Sequence, residues 1–168
     1  MDAKNTSVSD ASKQMTHLIE ISTNQSQHRV TAVLRTDLPQ NVIDTFFAAT
    51  REPLRMAVDH TMSTGDYFLS RGRPPRHPVQ AGSQATPFGG VPVLLSRLKA
   101  GDVLYSGGND MSFAYGPHIT EPLVARGPVL ARVPAAELDA YWGFGRDVWE
   151  ASYRKHELSI ITVIRKGA

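Results

Sequence analysis

His17-Leu18-Ile19-Glu20-Ile21-Ser22-Thr23, then Asn24-Gln25-Ser26-Gln27, then Arg29-Val30-Thr31-Ala32-Val33-Leu34-Arg35, is the stretch on which the fold turns. In the first run Ile19, Ile21 and Thr23 alternate with Leu18, Glu20 and Ser22. In the second, Val30, Ala32 and Leu34 alternate with Thr31, Val33 and Arg35. A period of two puts successive side chains on opposite faces of a strand, and the polar stretch between the runs supplies a turn, so the pair reads as an antiparallel hairpin. Asp37 stands three residues before Gln40, a variant capping box with Pro39 tolerated in the first turn, and a helix follows. Val42, Ile43, Phe46, Phe47 and Ala49 share one broad face of it, which sets the helix against a sheet.

The pattern then repeats. Leu54–His60 and Asp66–Ser70 read as strands joined through Ser63-Thr64-Gly65. The segment Arg71–Pro92 carries five prolines and four glycines, so it is a long loop, with one short strand expected over Val91–Leu95. Val103–Ser106 and Met111–Tyr115 form a further hairpin around Gly107–Asp110, and Gly116-Pro117 is expected to end the pairing. From Pro134 a second helical pattern carries Leu138, Tyr141, Trp142, Val148 and Trp149. Gly143 and Gly145, each costing about 1 kcal/mol there against alanine, predict a kink or two short helices. Glu157–Ile164, rich in β-branched residues, closes the series as a buried strand.

Seven or eight mostly antiparallel strands with two helices protect their edges best by closing on themselves, so the expected architecture is a mainly β, closed eight-stranded barrel capped by helices. At 168 residues, 41% hydrophobic, the chain makes one such domain over 15–168. Met1–Gln14 is too polar to bury a core and is read as a tail.

Composition excludes several functions. Eighteen basic against sixteen acidic side chains leave a net charge of +2, too little for a nucleic-acid surface. The absence of cysteine removes thiolate catalysis, disulfides and thiolate-ligated metals. No apolar run approaches the roughly 18–20 residues of a membrane span, and the first fifteen residues lack a signal peptide's apolar stretch, so a soluble cytoplasmic protein is the default expectation. Gly89-Gly90 and Gly107-Gly108 lack the spacing, helix and lysine of a phosphate cradle. Ser106 and Ser112 sit on no nucleophile elbow, and no His pair has ligand spacing, so neither cofactor nor metal is expected.

Candidate chemistry gathers at strand ends. His60 and His118 each end a strand near a turn and are read as the general acid or base groups. Tyr67, Tyr105 and Tyr115 carry hydroxyls able to orient a carbonyl, with Phe113 on the same face as Tyr115. Arg71, with Arg73, Arg76 and His77, forms a basic loop cluster suited to clamping a carboxylate. The expectation is one shared barrel mouth covered by the Arg71–Pro92 loop.

Arg29–Leu34 with its helix, His60-Thr61-Met62-Ser63-Thr64-Gly65, Gly101-Asp102-Val103-Leu104-Tyr105, Phe113-Ala114-Tyr115-Gly116 and Arg146-Asp147-Val148-Trp149-Glu150 resemble, in order, a bacterial cyclophilin-like family of unknown function over about Val30 to Ile164. The resemblance implies the closed eight-stranded barrel with two helices shared with peptidyl-prolyl isomerases. Their Phe-His-Arg strand and Gln-Gly-Gly-Asp run are absent here, which argues against that activity. Similar domains occur in bacterial enzymes that open small amides. Three functions follow: binding, with acid/base transformation, of a small carboxylate or amide; a noncatalytic module assembling as a homo-oligomer through the tail or the 135–153 helix; and prolyl isomerisation.

Overall fold

The structure, a computed structural model, describes residues 17–167; the tail over 1–14 lies outside the described residues. Eight strands close into an all-antiparallel barrel. They are β1 (Leu18–Thr23), β2 (Val30–Leu34), β3 (Leu54–His60), β4 (Gly65–Gly72), β5 (Asp102–Tyr105), β6 (Asp110–Ile119), β7 (Val129–Arg132) and β8 (Ile160–Arg165), in the spatial order β1-β2-β7-β5-β6-β4-β3-β8. β8 returns to β1, with Ile21 opposite Val163, so no edge is left open. Helices α1 (Gln40–Ala49) and α2 (Leu138–Glu150) cover the two ends.

Alternation fills the interior. Ile19, Ile21, Val30, Ala32, Met56, Phe68, Phe113, Ile161 and Val163 are all buried in one cluster, and Phe68 stacks on Phe113 at 5.0 Å between ring centroids. A second cluster lies on the outer wall. Tyr67, Leu104, Ala114 and Val129 face outward from β4, β5, β6 and β7 and are covered by Leu95, Leu98 and Ala125.

Five sequence expectations need correction. The eighth strand is Val129–Arg132, paired between β2 and β5. Val91–Leu95 instead holds an isolated bridge, Leu94 to Val124, between single 3₁₀ turns, because Pro92 has no N–H to give a ladder. β6 runs past Gly116-Pro117 to Ile119 through a register shift between Gly65 and Tyr67 of its partner strand, which absorbs the irregularity. Pro39 is the N-cap of α1 and no side chain caps it. Asp37 accepts instead from Arg35, at 2.9 and 2.6 Å, and Gln40 donates to Asp44 at 2.8 Å. Finally, α2 runs unbroken through both glycines. A Cβ at Gly145 would lie 2.0 Å from Tyr115 Cγ, so the absent side chain is what lets this helix seat on the barrel.

Candidate functional site

Antiparallel order sends the candidate residues to opposite ends. β6 begins at Asp110, opposite Arg71, and continues through Phe113, opposite Phe68, toward Tyr115 and His118. Tyr105, opposite Met111, therefore sits at the α1 end with Arg71, while His60, Tyr115 and His118 sit at the α2 end. The single shared mouth does not form.

At the α2 end, His60 is 9% exposed and the last residue of β3. Its Nδ1 lies 2.9 Å from the Thr61 carbonyl and its Nε2 2.9 Å from the Tyr115 hydroxyl. A carbonyl only accepts, so Nδ1 carries the proton and Nε2 accepts from Tyr115. Burial holds the imidazole below its ordinary pKa, the Thr61 bond working against it, and burial likewise pushes the Tyr115 phenol up. The Tyr153 hydroxyl donates to the His60 carbonyl at 2.5 Å. Both ring nitrogens are thus engaged inside the fold. His118 is exposed, its backbone N–H donating to Asp66 at 3.2 Å, and no hydrogen bond joins it to His60.

Tyr67 faces the outer wall, where burial pushes its phenol up to about 12. Phe113 is core.

The α1 end is built differently. Tyr105 donates its hydroxyl to the Gly108 carbonyl at 2.7 Å, and burial raises the phenol's pKa. Phe46 and Phe88 meet its ring edge-on at 5.3 and 5.6 Å. Gly107 and Gly108 both have positive φ, and a Cβ at Gly107 would strike Phe88 at 2.8 Å, so the turn is fixed from below. Over it passes a strap pinned at both ends. Gly72 N–H donates to the Asn109 carbonyl at 2.8 Å and the Asn109 side chain to the Arg73 carbonyl; beyond the span, Gly82 N–H donates to the Ser106 carbonyl at 2.7 Å and Arg126 Nε to the Gly82 carbonyl at 2.9 Å. Pro74, Pro75 and Pro78 between the pins have no N–H to add.

Strap, turn and helix enclose a cleft of about 430 Å³. Ala48 and Ala49 of α1 and Val79 of the strap supply apolar wall; Arg76, His77 and Asp44 bring charge or polarity to it. An adjoining hollow of about 180 Å³ shares Pro75, Val79, Gly108 and Asn109 and reaches Asp110, whose carboxyl is pulled up by burial against the pull of Arg126 and Arg71. Arg71 itself is exposed on β4 and lines neither. The basic loop cluster was readable in sequence, but the α1 wall and Asn109 were not; exposed Ala48 beside half-apolar Asp44-Thr45 carries no signal until the strap is placed over it. Among the described residues no group of three or more His, Asp or Glu is placed to hold a metal ion, and no helix is long and apolar enough to cross a membrane.

No family model matches the chain, and no curated protein matches it. Among solved structures it is similar to McbB in complex with tryptophan, at a TM-score of 0.71 and 22% identity, over 89% of this chain and 45% of that one. It is also similar to the hypothetical protein AF2241 from Archaeoglobus fulgidus, at a TM-score of 0.48 and 12% identity, over 90% of this chain and 96% of that one. The present chain thus spans under half the length of McbB, and at 22% identity that likeness shows the barrel fold alone.

Proposed function

We propose that the cleft beneath the strap binds a small carboxylate with an apolar body. The observation that carries this is the pairing, in one cleft of about 430 Å³, of Arg76 and His77 with the apolar wall of Ala48, Ala49 and Val79. That size falls within the range of about 300–1,000 Å³ usual for ligand sites. A guanidinium takes a carboxylate bidentately, and the alanine face leaves room for a flat hydrophobic group. McbB is seen with tryptophan, a carboxylate on an apolar ring, which makes tryptophan the first probe. This reading gives any acid/base step to Asp110 rather than to His60 and His118, because a carboxyl raised by burial lies next to the cleft while His60 is spent on the fold. The cyclophilin-like resemblance agrees with a ligand held by loops on a closed barrel.

Calorimetry with tryptophan, indole-3-propionate and tryptamine tests it. The two carboxylates bind and raise the melting temperature, tryptamine does neither, and Arg76→Ala lowers carboxylate affinity by about tenfold or more, the worth of a charged hydrogen bond. Equal binding of tryptamine defeats the reading.

A second reading, self-assembly, draws on α2. Trp142 is 47% exposed, and Arg146 lies over the rings of Trp142 and Trp149 at 5.7 and 4.5 Å. Light scattering of Trp142→Ser decides it: an unchanged mass rules this face out as the contact.

A further inference from the structure

The outer wall carries a separate cavity of about 180 Å³ between β4 and the two covering segments, lined on its apolar side by Tyr67, Leu69 and Leu95. Those segments are tied to each other: Leu95 N–H donates to the Leu123 carbonyl at 2.8 Å and Ala125 N–H to the Val93 carbonyl at 2.7 Å, so the cover is a built element. Two opposite charges, Glu121 and Arg126, line the same cavity. Neither forms an ion pair among the described residues, where the only pairs are Arg29–Glu20, Arg35–Asp37, Arg132–Asp102, Arg154–Glu150 and Lys166–Glu20. Each is held in place by other means. Thr64, 2% exposed, donates its hydroxyl to Glu121 Oε2 at 2.8 Å and sits 2.6 Å from the Thr61 hydroxyl; Arg126 Nε donates to the Gly82 carbonyl at 2.9 Å, leaving its terminal nitrogens.

A fixed anion and a fixed cation that share a small, partly apolar cavity without pairing leave a gap that one molecule with both charges would bridge. We propose that this cavity is a binding site for a compact aliphatic α-amino acid, its ammonium on Glu121, its carboxylate on Arg126 and its side chain on Leu69 and Leu95. The volume corresponds to about six waters at their liquid share of ~30 Å³ each, which suits leucine or valine and is tight for an indole. The site shares no lining residue with the cleft beneath the strap, although Arg126 also pins the far end of that strap at Gly82.

The test is calorimetry of the full chain with L-leucine, 3-methylbutylamine, which lacks the carboxylate, and 4-methylpentanoate, which lacks the ammonium. Leucine binds, and each truncated ligand binds at least about tenfold more weakly. Glu121→Gln keeps an acceptor for Thr64 and removes the charge, and it weakens leucine by a similar factor. Arg76→Ala leaves leucine binding unchanged, and saturating tryptophan does not displace it, which separates this site from the cleft. Absence of leucine binding at millimolar concentration, equal binding of either truncated ligand, undiminished binding to Glu121→Gln, or displacement by tryptophan would each overturn the proposal.

Discussion

The two ends of the barrel start from similar materials and finish differently. At the α2 end the rings of Tyr115, Tyr153 and Phe68 lie with their centroids 5.7–5.9 Å from the His60 imidazole, and both ring nitrogens of His60 have a partner. At the α1 end Tyr105 is packed just as firmly by Phe46 and Phe88, yet a cleft of about 430 Å³ stands beside it. The covers explain the contrast. α2 meets the barrel through Gly145, whose missing side chain lets helix and ring close to contact. The α1 end is covered by α1 and, beside it, by a strap whose Pro74, Pro75 and Pro78 cannot donate to the barrel beneath, so the strap spans the gap next to the helix without filling it. An aromatic and imidazole cluster at a strand end therefore marks packing as readily as chemistry; what separates the two ends is whether the covering helix seats directly through a small residue or shares the cover with a donor-poor loop.

Gly145→Ala breaks the closed end most severely. The added carbon would sit 2.0 Å from Tyr115 Cγ, against a ring that is 1% exposed and has nowhere to go. Overpacking of this kind costs ~1–3 kcal/mol and more when the neighbour is immobile, which outweighs the ~1 kcal/mol helix gain of alanine. A net loss of about 2 kcal/mol, or several degrees in melting temperature, is expected in thermal or urea unfolding. A variant as stable as the parent would show that the seam is slack.

The tyrosine-to-phenylalanine pair sharpens the comparison at lower amplitude. Tyr115→Phe strands His60 Nε2 as a buried acceptor, and Tyr105→Phe strands the Gly108 carbonyl, each costing about 1–3 kcal/mol in urea unfolding. Their effects on binding differ. Tyr105→Phe also frees the Gly107–Gly108 turn that floors the cleft and weakens carboxylate binding, while Tyr115→Phe leaves affinity unchanged. Tyr141 is the internal control: it is fully buried on α2 with a hydroxyl that has no partner among the described residues, so Tyr141→Phe costs nothing measurable.

These assignments mark where the sequence was readable. The hairpins β1–β2, β3–β4 and β5–β6 announced themselves because alternation and a turn signal coincide in each. β7 did not, since its four residues Val129-Leu130-Ala131-Arg132 are covered on both faces and show no alternation for most of their length. The inward face of Phe113 and Tyr115 followed from the period of two. Which end each residue would reach did not follow from closeness to a turn: Tyr105 abuts the β5–β6 turn, whereas Tyr115 lies six residues from Asn109 and has crossed the barrel by then. The acid/base reading of His60 uses residue type and strand-end position, and neither carries information about the hydrogen bonds that engage both its ring nitrogens.

The smallest effect is a slope rather than a step. Burial holds the pKa of His60 below the ordinary 6.5, so between that value and the lower folded one the unfolded chain takes up a proton that the folded chain refuses. Stability is therefore fully present above pH 6.5 and drains away as pH falls through the folded-state value. The tautomer fixes the reason: with Nδ1–H committed to the Thr61 carbonyl, a second proton must go on Nε2, where it turns the acceptor of the Tyr115 hydroxyl into a donor and breaks the bond as it stands. Unfolding curves from pH 8 to pH 5 on the parent and on His60→Gln should differ in slope, the parent losing stability on acidification more steeply. Carboxylate binding at the other end should not follow that difference; if it does, the two ends are coupled through the aromatic core and the division drawn between them is wrong.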